Sequence, residues 1–111
     1  MIRIYKEKLG TDGELTVIKG KVKNILTIQF QPGIGPCVWY EIDDDLKEIE
    51  IQIIAIGTGW DLPKNIKYWD YIGTVQDGFG FVWHYYAMPF SNNTIADDLG
   101  DIFGDLFRGK E

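Results

Sequence analysis

Cysteine and histidine are almost missing from this chain: Cys37 and His84 are the sole examples in 111 residues. One cysteine excludes an intramolecular disulfide, and one of each excludes the usual Cys/His ligand sets of a structural zinc site, so no metal and no cofactor are expected. Long apolar runs are also lacking. The best stretch, residues 51–56, is interrupted by Gln52 and ends at Gly57, which is too short to cross a bilayer, so no membrane association is expected. Residues 1–6 contain no secretory h-region, which together with the cysteine count leads to a cytoplasmic expectation. Basic charge is scarce, with 11 Lys and Arg against 17 Asp and Glu and a net charge of −6. Residues 1–23 hold six bases and three acids, a local +3, which leaves −9 on the remainder. A broad duplex nucleic-acid surface is excluded on that balance, and an acidic body suits a basic protein partner.

The length and a hydrophobic content of 45% fit one domain with a sizeable core. Most apolar positions alternate as in strands, at residues 2–8, around Leu15 and Val17, and over 22–30, 37–42, 46–56, 71–76 and 81–88. Gly10-Thr11-Asp12-Gly13 and Asp77-Gly78-Phe79-Gly80 are turn signals for two hairpins, and residues 31–36, with two prolines and two glycines, form the strongest breaker. Residues 43–45 turn the chain before the longest β segment, whose end at 53–56 loses alternation and is expected to be buried on both faces. Residues 57–67 read as an irregular excursion with one helical turn. The expected fold is mainly β (α+β): a β domain over residues 1–88, as a small antiparallel sheet or barrel of six to seven strands, a linker at 89–93, and a C-terminal amphipathic helix at 94–108.

That last element is marked by Ile95, Leu99, Ile102, Phe103, Leu106 and Phe107 at helical spacing, with Asp98 and Asp101 on the flank and Thr94 and Asp97 at capping-box spacing. A stripe of this kind needs a cover, either its own sheet or a partner. These eight residues, Ile95 to Phe107 with the two aspartates, are the expected partner-binding set.

Other candidate chemistry is sparse. Gly57-Thr58-Gly59 after a strand can turn backbone N–H groups toward an anion, but the third glycine of a dinucleotide fingerprint is replaced by Leu62, and a tight connection beside Trp60 is the plainer reading. Lys19, Lys21 and Lys23 alternate and would share one face of an extended strand. A Cys37–His84 nucleophilic pair would need a third orienting group. Glu41, Asp43, Asp44 and Asp45 crowd one turn and lack the contrasting environments that acid–base chemistry requires.

Five short motifs in order, Ile4-Tyr5-Lys6, Pro36-Cys37-Val38-Trp39, Ile56-Gly57-Thr58-Gly59, Tyr71-Ile72-Gly73-Thr74-Val75-Gln76 and Val82-Trp83-His84, resemble a family of small tailed-bacteriophage proteins with no assigned function. The resemblance covers about residues 2–86 and implies a phage accessory protein acting in the host cytoplasm. It supplies no catalytic residues, and the segment from Pro89 onward departs from it. The sequence therefore leads to a non-enzymatic binding module that self-associates or binds and inhibits a host defence or regulatory protein. The alternative is sequestration of an anionic, nucleotide-like molecule by Gly57, Thr58, Gly59, Trp60 and Lys21.

Overall fold

The computed structural model describes residues 1–90. Seven strands run through them: β1 (Ile2–Lys8), β2 (Leu15–Gly20), β3 (Val22–Gln31), β4 (Gly35–Asp43), β5 (Ile49–Gly57), β6 (Asp70–Gln76) and β7 (Val82–Phe90). They form two antiparallel sheets, of order β1-β4-β3 and β2-β5-β7-β6. The expected helix at 94–108, with Ile95, Asp98, Leu99, Asp101, Ile102, Phe103, Leu106 and Phe107, lies outside the described residues. β7 continues through Pro89, opposite Ile51, and Phe90, opposite Glu50, so the segment read as a linker begins inside a strand.

Strand alternation selects the core. Ile51, Ile53 and Ala55 on β5 and Trp83, Tyr85 and Ala87 on β7 point to one side, where they meet Ile28 of β3 and Val38 and Tyr40 of β4 from the other sheet. Trp83 is also the ring around which the loop aromatics gather. Ile56 faces away from this core yet is 4% exposed, which meets the expected double burial at the end of β5.

No barrel closes. β3 and β6 lie against each other without a hydrogen-bonded ladder. At their meeting point a Cβ on Gly73 would stand 3.3 Å from that of Ile28, so the glycine permits the approach. The hairpin expected of β1 and β2 is also overturned. Its turn does form, with Glu14 N donating to Thr11 O, but β1 pairs with β4 and β2 with β5. The cause is Leu9: only 2% exposed, with its N–H on Pro36 O, it anchors the chain in the core and sends it to the other sheet.

β5 and β6 flank β7 and run parallel to each other, since each is antiparallel to β7. Their connection must return along the length of the sheet, and the inner face is already filled, so it crosses the outer one. It contains the expected helical turn, a 3₁₀ turn at Ile66–Tyr68.

Candidate binding surface

The ladders bring four connections to one end of the sandwich: residues 9–14, 32–34, the start of the crossover at 58–60, and 77–81. Lys8 lies opposite Cys37 and Gln31 opposite Gly35 in one sheet, Gly57 opposite Trp83 and Gln76 opposite Val82 in the other, and the Tyr85 hydroxyl on Gly10 O, with Phe30 beside Gly78, brings the two sets of strand ends together. The turns are tight. Asp12 and Gly13 have φ of 56° and 81° between Thr11 and Glu14, the pattern of a type I′ turn. Pro32 and Gly33 (φ 83°) lie between Gln31 and Ile34, whose N–H bonds Gln31 O in the type II pattern.

What these turns present is apolar. Phe79 is 89% exposed and Phe81 60%, with Trp60, Phe30 and Ile34 exposed beside them. Two clefts open between the loops. One, of about 530 Å³, runs between Gly10, Glu14, Phe30, Ile34, Asp77 and Phe79. The other, of about 600 Å³, is walled by Asp12, Gly57, Thr58, Trp60, Phe81 and Trp83.

Asp77 organises the most prominent of the four loops. Its Oδ1 accepts from the N–H groups of Phe79 (2.8 Å) and Phe81 (3.0 Å), and its Oδ2 from Trp83 Nε1 (3.2 Å). Partial loss of hydration pushes this carboxyl up, but the three donors outweigh it and hold it below the usual aspartate range. Phe81 stacks on Trp83 at 5.9 Å and 23°, while Trp60 meets the same ring edge-on at 5.7 Å and 77°. Phe81 and Trp60 are thus both packed on Trp83.

Gly57-Thr58-Gly59 is the tight connection rather than an open cradle. Trp60 N bonds Gly57 O across Thr58 and Gly59 (φ 87°), and the Trp60 ring folds back over Gly57. Lys21 is not brought to it. Lys21 follows β2 at the opposite end of the molecule, where its Nζ donates to Asp44 O at 3.1 Å. The lysine row is likewise divided: Lys19 belongs to β2 and pairs with Glu50 at 3.3 Å, whereas Lys23 belongs to β3 in the other sheet. An anionic ligand held by Trp60 and Lys21 together is therefore not assembled.

His84 and Cys37 are also apart, on β7 and β4 of different sheets. Cys37 is fully buried. His84 instead lies between two threonines, with Nε2 2.7 Å from Thr58 Oγ1 and Nδ1 2.9 Å from Thr74 Oγ1, which continues to the hydroxyl of Tyr71. This chain ties the crossover to the outer face of the sheet. The acidic turn is structural: Asp43 accepts from Asp45 N and Leu46 N, and Asp44 pairs with Arg3 at 3.0 Å. Among the described residues no three His, Cys, Asp or Glu side chains converge as a metal site, and no helix is long and apolar enough to cross a membrane.

Sequence reasoning passed over Phe30, Ile34, Asp77, Phe79 and Phe81. The available signal was a turn, Asp77-Gly78-Phe79-Gly80, carrying a phenylalanine where small or polar residues are the rule.

Seven strands in two antiparallel sheets, with four connections gathered at one end, make this a mainly β domain of sandwich type. The chain belongs to the family of the domain of unknown function DUF7352, whose model matches residues 1–95 and so takes in every described strand. No curated protein and no solved structure matches it.

Proposed function

We propose that the chain is a non-enzymatic binding module that holds a protein partner against its loop end. The observation that carries this reading is Phe79, 89% exposed on a turn whose backbone is already bonded to Asp77. An aromatic side chain on a pre-ordered loop adds contact area with little ordering cost, which is the property of an interface anchor. Asp12, Glu14 and Asp77 outnumber Lys8 around the clefts and favour a basic segment carrying an apolar side chain. The resemblance to small tailed-phage proteins supplies a setting: the partner is a host defence or regulatory protein in the host cytoplasm. The apolar stripe of residues 94–108, drawn as a helix from its spacing alone, is a second contact region in this reading.

The test compares the chain with the double variant Phe79→Ala/Phe81→Ala as bait in host lysate. Both side chains are more than half exposed, so far-ultraviolet circular dichroism should be unchanged and the melting temperature should drop only by the loss of the Phe81–Trp83 stack, while the specifically captured protein is lost. Retention of the same protein by the double variant at wild-type yield would overturn the loop-end assignment.

A further inference from the structure

β1 is an edge strand left bare. All seven of its residues are exposed, and its ladder is with β4 alone. Ile2, Ile4 and Tyr5 are 46%, 61% and 47% exposed, so the strand shows apolar side chains on both faces. An edge of this sort is a template for another strand.

The ladder fixes what the free edge offers. Leu9 N donates to Pro36 O at 2.8 Å, and Asp44 N approaches Met1 O at 3.5 Å, so the β1–β4 register continues at both ends through odd-numbered residues. Odd residues of β1 therefore direct their N–H and C=O groups to β4, and Ile2, Ile4, Lys6 and Lys8 direct theirs to the open side.

We propose that two copies of this chain pair through β1, antiparallel about Tyr5, into one continuous sheet of order β3-β4-β1-β1-β4-β3. The reading is independent of the loop-end proposal, because it uses a different surface and a different partner. A two-fold axis normal to the sheet through Tyr5 puts Ile4 opposite Lys6 and Ile2 opposite Lys8 as hydrogen-bonded pairs. Tyr5 then faces Tyr5 of the second copy, and Arg3 faces Glu7, at the non-hydrogen-bonded positions where side chains come closest. Both charge pairs are complementary. Moving the axis to Lys6 would set Lys6 against itself, and moving it to Ile4 would leave Arg3 opposite Tyr5, so the strand's own charges select Tyr5. Tyr5 is braced for the role by an edge contact with the Tyr40 ring at 6.3 Å. Arg3 already touches Asp44 and has further guanidinium N–H groups for Glu7 of the second copy. Lysine on an edge strand commonly opposes such pairing, but Lys6 is drawn aside to Gln31 Oε1 at 2.8 Å.

The experiment uses the full chain at about 100 µM, far above a micromolar Kd, in light scattering or sedimentation. The expected mass is twice the 12.7 kDa of one chain. Glu7→Arg, which sets Arg3 against an arginine, should return the mass of one chain, and Arg3→Glu/Glu7→Arg should restore the double mass. Under a mild oxidant Tyr5→Cys should give a disulfide-linked dimer, since Cα atoms at that position are about 4.5 Å apart across the axis, whereas Ile4→Cys should not, its counterpart being displaced by two residues. A single-chain mass for the unaltered protein, a dimer indifferent to Glu7→Arg, or Ile4→Cys linking as readily as Tyr5→Cys would each overturn the proposal.

Discussion

The hydroxyl of Tyr85 donates to the carbonyl oxygen of Gly10 at 2.8 Å, joining β7 to the β1–β2 connection across 75 residues of chain. Tyr85 is 1% exposed, so its hydroxyl has this bond in place of water. Tyr85→Phe should cost about 1 kcal/mol, the net contribution of one hydrogen bond, and should appear in urea titration as a lower midpoint with an unchanged slope. An unchanged midpoint would mean that Gly10 is satisfied elsewhere.

The same residue sets an alkaline limit. Burial, and then the Asp77 and Glu14 carboxylates, push the Tyr85 hydroxyl well above its ordinary value, while burial, Glu7 and Tyr5 raise Tyr40. A raised folded-state value means that the unfolded chain loses its proton first. The stabilising contribution is thus whole below about pH 10 and declines above it. Melting temperature measured from pH 8 to 11 should fall at the alkaline end, and Tyr85→Phe should flatten that fall. An equally steep fall in the variant would count against the assignment.

Asp77→Asn keeps one carbonyl oxygen for Phe79 and Phe81 but replaces the acceptor of Trp83 Nε1 with a donor. The amides of Phe79 and Phe81 should exchange faster and Trp83 emission should change, with little effect on the core strands. The sign for acid follows from the lowered carboxyl: its contribution is present above the ordinary aspartate value near pH 4 and is lost as pH falls through the folded-state value. Native-state exchange at the two amides checks both statements, and unaltered rates would remove Asp77 as the organiser of this loop.

At Gly57 a Cβ would stand 2.6 Å from Trp60 Cε2, closer than atoms tolerate. Gly57→Ala should therefore expel the Trp60 ring from Trp83, with a loss of about 1–3 kcal/mol from overpacking and a red shift in tryptophan emission. Thermal melting at full strength with unshifted emission would show that the ring adapts without leaving.

Removing residues 96–111, the part beyond the family match, should leave the two sheets folded, since the core cluster draws on residues from Leu9 to Ala87. Far-ultraviolet circular dichroism and the melting midpoint should be close to those of the full chain. Outright unfolding would make that segment part of the core.

Period-two alternation and glycine and proline placement are local properties, and they were enough to mark six to seven strand segments, the Asp12-Gly13 and Asp77-Gly80 turns, and one helical turn in the crossover. Each depends on neighbours a few residues apart. Pairing does not. β1 joins β4 and β2 joins β5 across about 35 residues, and the reason is collective: Leu9 is buried only if the chain changes sheets there. That choice separates Lys21 from Trp60 and divides the lysine row. It also gathers Phe30, Ile34, Trp60, Phe79 and Phe81, which no spacing in the sequence connects. Sequence settled which segments are strands, because a strand's faces are written in alternate residues; the tertiary structure alone settled which loops share an end and which edge stays bare, because those depend on which strands bury one another.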